Sequence, residues 1–191
     1  PARGFVGGEG LEQDLQHVAD EGRLTGILNG CEYTLLPIVR ESRARILALA
    51  EDSLRHWAAN RDPVPAAHFH ALLRLQQWRK RRRPVPVTLT SIGRITDQKV
   101  GLLAFQLPPD SPDGVAQCAL EWLLDDLDDG ELIMLGSGDE RHERFFTRLM
   151  ASRENFLYLR GFSEELAEAL YAYGDLFLMP STYEPCGISQ M

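Results

Sequence analysis

Three charged side chains in this chain of 191 residues have the types and neighbours that chemistry could use: Arg94, Lys99 and Glu184. Arg94 and Lys99 stand five apart, just after the β-branched run 86–92. A planar guanidinium and a point-like ammonium at that spacing can grip a diphosphate from two sides. Fixed cations also stabilise charge that develops on such a leaving group, with no further reorganisation. Two solvated surface charges would look the same in sequence. The chain has 18 Arg and only two Lys, so a lysine at this loop is unexpected from composition. Glu184 follows the apolar run Leu176–Met179 and precedes Pro185, whose ring restricts the backbone beside the carboxylate. A loop-capping glutamate is the alternative. The small residues after it, Cys186, Gly187, Ile188 and Ser189, expose backbone N–H groups at what reads as a helix start, a setting for an anion or a sugar hydroxyl.

These residues need elements to hold them. A polar helix is expected from Glu12 to Asp20, and apolar residues at helical spacing predict helices within 38–60 (Ile46, Leu47, Ala50, Leu54, Trp57) and 66–82 (Phe69, Leu72, Leu75, Trp78). Residues 86–92 read as a buried strand closing on Gly93, with helices expected over 99–107 and 115–127. Strands at 132–135, 156–159 and 176–179, the last also read as buried, alternate with helices at 141–150 and 164–173. Glycine-bearing loops fall at the C-terminal ends of these strands. That order predicts an α/β fold, a Rossmann-like doubly wound parallel sheet with ligands at that edge.

Composition narrows the class. Hydrophobic residues make up 44% and charged residues 25%, and no apolar stretch has the length of a membrane span, so the chain reads as soluble with no membrane partner. A net charge of −8 disfavours nucleic acid. The run Trp78-Arg79-Lys80-Arg81-Arg82-Arg83 is the local exception, and its place before Pro84 reads as a solvated helix end more readily than a nucleic-acid or glucan patch. Cys31, Cys118 and Cys186 are too scattered for a disulfide framework or a zinc site, which fits a reducing cytoplasm. His68 and His70, two apart on a helix, point to different faces, and the acids Asp125, Asp126, Asp128 and Asp129 before Gly130 read as a helix end. No metal and no cofactor is expected. No signal peptide is visible, and a start without Met reads as a piece of a longer protein.

The segment Pro180–Met191 resembles the signature Pro-Ser-x-(Phe/Tyr)-Glu-Pro-Cys-Gly-Leu-x-Gln of the bacterial glycogen synthase and plant starch synthase family, with Tyr183 and Ile188 within its variation. Three further segments occur in the family's order: Gly26–Gly30, Ile92–Lys99 and Leu135–Asp139. The resemblance runs from about residue 25 onward. It implies a two-domain GT-B glycosyltransferase of which this chain would be a truncated C-terminal, nucleotide-sugar-binding half, with 1–37 as a junction and 38–191 as the Rossmann-like domain. It also implies retaining transfer of glucose from ADP-glucose to the non-reducing end of an α-1,4-glucan. Arg94 and Lys99 would then contact the diphosphate, and Glu184 the donor glucose at an oxocarbenium-like transition state. Cys186, Gly187, Ile188 and Ser189 would offer N–H groups and one hydroxyl to sugar and phosphate oxygens, with Cys186 a packing residue, because this chemistry needs no thiol nucleophile.

Phe162, after Gly161, is either a platform for a purine face or core filler. The loop Gly136-Ser137-Gly138-Asp139 is too short for a dinucleotide fingerprint, and its glycines are expected to let backbone pass close to the nucleotide. Where the family has Asp and then Trp-Asn-Pro, this chain has Cys31–Pro37. That departure leaves room for a related GT-B transferase using UDP-glucose or another donor, and a non-catalytic glucan-binding module is the alternative from another class. A GT-B cleft forms between two domains. The chain alone is therefore expected to be inert and to expose an apolar face that favours self-association.

Overall fold

The computed structural model describes residues 11–27, 40–108 and 116–184. The chain divides into two units, one of Pro37–Tyr183 and one of Pro1–Leu36 with Glu184–Met191. The second holds α1 (Glu12–Asp20), which buries none of its residues.

In the larger unit α2 (Arg43–Ala59) and α3 (Ala66–Lys80) pack on each other. They are followed by β1 (Thr88–Ile92), α4 (Asp97–Val100), α5 (Ala119–Asp126), β2 (Glu131–Gly136), α6 (Glu140–Ser152), β3 (Phe156–Arg160), α7 (Glu164–Tyr173) and β4 (Leu176–Phe177). The strands form one sheet in the order β3-β2-β1-β4 with every pairing parallel. Every residue of β2 is buried, as expected of a central parallel strand covered on both faces. Steps from β1 to β3 run one way and the return to β4 runs the other, so right-handed crossovers put α5 and α6 on one face and α7 on the other. Phe146 and Met150 of α6 are wholly buried, and the Phe146 ring meets those of Phe156 and Tyr158 on β3.

Helix starts follow local chemistry. Ser42, Asp139 and Ser163 each accept a backbone N–H with their side chains at the N-termini of α2, α6 and α7. Cys118, free and buried, caps α5: its Sγ accepts the Glu121 N–H while the Glu121 carboxylate accepts the Cys118 N–H. Burial pushes the Cys118 thiol above its ordinary range.

Three expectations need correction. The helix expected over 115–127 is the shorter α5, since Cys118 is its cap and pairs with Gln106. The helix anticipated over 99–107 is shorter and begins earlier: α4 gives way to a single 3-10 turn, Gly101–Ala104, and Gln106 then bridges to Cys118 in antiparallel fashion. Gly101 weakens helical continuation, and Pro108 and Pro109 forbid it. The last strand is not buried. Leu176 is 62% exposed because among the described residues β4 is an edge strand that pairs with β1 alone, over Leu89–Leu176 and Thr90–Phe177.

The basic run at the end of α3 is tied down in part. Arg79 pairs with Glu51 at 2.6 Å, Arg81 with Asp129 at 3.2 Å, and Trp78 is buried with its indole N–H on the Glu154 carbonyl. Among the described residues no helix is long and apolar enough to cross a membrane.

Candidate functional site

β1 and β4 are neighbours although the chain visits β2 and β3 between them, so the sheet's topological switch point lies at their C-terminal ends. Open parallel sheets bind ligands in the crevice at such a point. The loop after β1 carries Arg94. Its side chain is exposed and makes no ion pair or hydrogen bond among the described residues. Its neighbour Ile95 is 1% exposed and acts as the loop's anchor. Lys99, half-buried, lies on the single turn of α4.

α4 is held from two directions. Asp97 at its start accepts from Arg141 at 3.0 Å, with the buried His142 ring at 3.1 Å, both from the first turn of α6. Gln98 reaches the loop after β4: its carbonyl accepts the Thr182 N–H at 2.9 Å, and its side-chain amide donates to the Tyr183 carbonyl at 2.7 Å. The structure therefore joins the segment of Arg94 and Lys99 to the beginning of the turn-rich segment at the far end of the chain. Glu184 is half-buried and falls in the other unit. Cys186, Gly187, Ile188 and Ser189 lie outside the described residues, as do Cys31 and 28–30 of the glycine-bearing junction.

The loops after β1 and β2 extend the sheet's pairing past its formal end. Ile95 forms a parallel bridge with Gly138; the Ile95 N–H donates to the Ser137 carbonyl at 3.0 Å and the Asp139 N–H to the Ile95 carbonyl at 2.6 Å. This explains both glycines. A Cβ on Gly136 would stand 2.0 Å from the Gly93 carbonyl oxygen, and one on Gly138 would stand 2.3 Å from that of Ile95. What the missing Cβ atoms admit is the backbone of the Arg94 loop. Asp139 then caps α6 through the N–H groups of Arg141 and His142, which hold its carboxyl below the usual carboxylate range.

At the end of β3, a Cβ on Gly161 would meet the Trp57 indole at 2.5 Å. The next residue, Phe162, is 71% exposed, so the core-filler alternative does not hold. Its ring sits at the same sheet edge, on the far side of β2 from Arg94.

Sequence reasoning passed over Glu143. It precedes Phe146 and Met150 by three and seven residues, so it shares the apolar face of α6, and a carboxylate there was the available signal. Gln98, His142 and Arg160 carried no such mark.

A parallel sheet in this order, with its loops gathered at the switch point, is a half of Rossmann type. Over 185 residues the chain is 32% identical to a glycogen synthase of Streptococcus equi subsp. zooepidemicus, covering 96% of this chain and 33% of that protein. A glycogen synthase of Anaeromyxobacter dehalogenans is also 32% identical, over 198 residues, with 97% of this chain and 33% of the relative covered. Among solved structures, the catalytic domain of starch synthase IV from Arabidopsis thaliana, bound to ADP and acarbose, aligns over 96% of this chain and 33% of its own. Its TM-score is 0.54 at 22% identity, a likeness of fold, that of a GT-B glycosyltransferase domain. No protein-family model matches the chain. By these relatives the chain belongs to the glycogen synthase family, and it spans about a third of the length of the curated relatives it matches.

Proposed function

We propose that this chain is the nucleotide-sugar-binding part of a retaining glucosyltransferase that moves glucose from ADP-glucose to the non-reducing end of an α-1,4-glucan. The observation that carries the reading is the switch point. There Gln98, one residue from Lys99, is hydrogen-bonded to Thr182 and Tyr183, so the cationic loop and the family's signature segment meet where such sheets bind nucleotides. When the bond between the glucose C1 and the diphosphate breaks, negative charge grows on the departing ADP. Arg94 and Lys99 stabilise it, and Glu184 supports the positive charge on the sugar ring. The N–H groups of Cys186, Gly187, Ile188 and the hydroxyl of Ser189 receive sugar and phosphate oxygens, Phe162 offers a face to the base, and Gly136 and Gly138 serve the nucleotide indirectly, by letting the Arg94 loop lie against the end of β2. The acceptor hydroxyl takes the place of the diphosphate on the same face of the ring. By itself the chain is inert, since the second domain that closes a GT-B cleft is not within it, and the reducing cytoplasm is its setting.

The test is glucosyl incorporation into glycogen by the full-length parent protein, with ADP-glucose and UDP-glucose in parallel. ADP-glucose is expected to be the better donor. Lys99→Ala should lower kcat by roughly 10²–10³-fold, the usual cost of removing one preorganised charge-stabilising group. Preference for UDP-glucose would move the reading to a related transferase, and no incorporation from either donor would overturn it in favour of a glucan-binding module.

A further inference from the structure

We propose that Glu143 is a positioning residue: its buried carboxylate locks the loops after β1, β2 and β3 together and so aligns Arg94. What Arg94 is aligned for rests on the function proposed above; the locking of the loops does not.

Glu143 is 4% exposed, on a helix face whose other members, Phe146 and Met150, are fully buried. An ionised carboxylate persists there only if it is paired and hydrogen-bonded. Each of its oxygens has a separate task. Oε1 accepts the Gly138 N–H at 2.8 Å, and Oε2 makes an ion pair with the Arg160 guanidinium at 2.5 Å without a well-oriented hydrogen bond. Its place in the first turn of α6 adds the favourable end of the helix dipole. Replacing such a pair by apolar groups is often neutral or stabilising, so stability alone does not account for a charge at this position.

The two oxygens instead supply direction. Through Gly138 the carboxylate fixes the peptide that bridges to Ile95, the anchor adjoining Arg94. Through Arg160 it fixes the end of β3, where the His68 Nε2–H donates to the Arg160 carbonyl at 2.9 Å and Gly161 packs on Trp57. One carboxylate therefore sets three loop ends relative to one another, of which the loop after β2 leads into its own helix.

The test uses the full-length parent protein with Glu143→Ala and Glu143→Gln. Glutamine keeps the volume and an acceptor for the Gly138 N–H but removes the charge facing Arg160; alanine removes both. Amide hydrogen exchange at Ile95 and Asp139 is expected to quicken by about tenfold or more in the alanine variant and by less in the glutamine variant. With the protein folded, kcat/KM for ADP-glucose should fall roughly 10- to 100-fold, as for a small misplacement of a reacting-site group, while KM for glycogen stays unchanged. Unchanged exchange in folded variants overturns the proposal. So does an activity loss that only tracks the folded fraction and leaves kcat/KM for ADP-glucose per folded molecule intact. If the alanine variant fails to fold, the glutamine variant decides. If the unaltered protein transfers no glucose, the proposed function falls, and the exchange comparison alone decides whether Glu143 orders the loops.

Discussion

Gly93 and Gly136 lie on adjacent loops at the same sheet edge, and the structure assigns opposite outcomes to the same substitution at each. A Cβ on Gly136 would sit 2.0 Å from the Gly93 carbonyl oxygen and 3.1 Å from Ile95 Cδ1, whereas a Cβ on Gly93 meets nothing within 4 Å. The first contact is about 1.4 Å short of ordinary van der Waals separation, and its partner is backbone, which cannot swing aside. Relieving it means parting the two loops by more than an ångström. That motion breaks the Gly93 N–H to Leu135 carbonyl bond and the Ile95 N–H to Ser137 carbonyl bond, both 3.0 Å. Overpacking costs about 1–3 kcal/mol and each of the two lost hydrogen bonds about 1 kcal/mol, so Gly136→Ala should destabilise by about 3–5 kcal/mol. Gly93→Ala should stay within about 0.5 kcal/mol, or stabilise slightly by restricting the unfolded chain. Urea unfolding of the 191-residue chain, followed by far-ultraviolet circular dichroism, measures both. Equal midpoints for the two variants would show that the loops are not packed as described and would remove the structural reason for glycine at 136.

His68 makes a pH prediction. Burial, the largest influence, pushes its pKa below the usual value; the Arg160 carbonyl and Glu143 favour the cation, while Arg61 and Arg160 oppose it. Its Nδ1 is buried without a partner among the described residues, so protonation there would bury an unpaired charge. The unfolded chain takes up that proton at about pH 6.5, before the folded chain does, so stability should fall as pH drops through and below about 6.5. His68→Gln keeps a donor for the Arg160 carbonyl and should flatten this step in midpoint-against-pH curves. Asp139 acts in a more acid range. Its folded pKa is depressed by the Arg141 and His142 N–H groups, so its contribution is complete above the ordinary aspartate value and is lost as pH falls through the lower folded one. Asp139→Asn should keep the cap and abolish the acid step, whereas Asp139→Ala should loosen the start of α6 at neutral pH, read as faster amide exchange at Arg141 and His142.

Much of the fold was legible before any coordinates. The bounds of α1 and α7 follow from local composition and period, and β2 and β3 extend the expected runs by one residue at the ends where they differ. The alternation of strand and helix implied a parallel sheet with its loops at one edge. These properties are local or follow from topology rules, so the chain's own order contains them. The exposure of Leu176 was not legible. An apolar run such as Leu176–Met179 looks the same whether one neighbour or two flank it, and only the strand order shows that among the described residues β4 has a partner in β1 alone.

The site divides along the same line. By itself the sequence determined which residues carry charge, Arg94, Lys99 and Glu184, and through its signature segments the family they belong to, because side-chain chemistry and motif order survive without a structure. Only the tertiary structure decided what brings the Lys99 turn to Thr182 and Tyr183, why positions 136 and 138 exclude a Cβ, that Phe162 faces solvent, and that a carboxylate inside α6 reaches two loops at once. Most of those facts depend on distances between residues far apart in the chain, from 17 positions for Glu143 and Arg160 to more than 80 for Gln98 and Tyr183. Such distances are set by how helices and strands pack, and no local pattern encodes them.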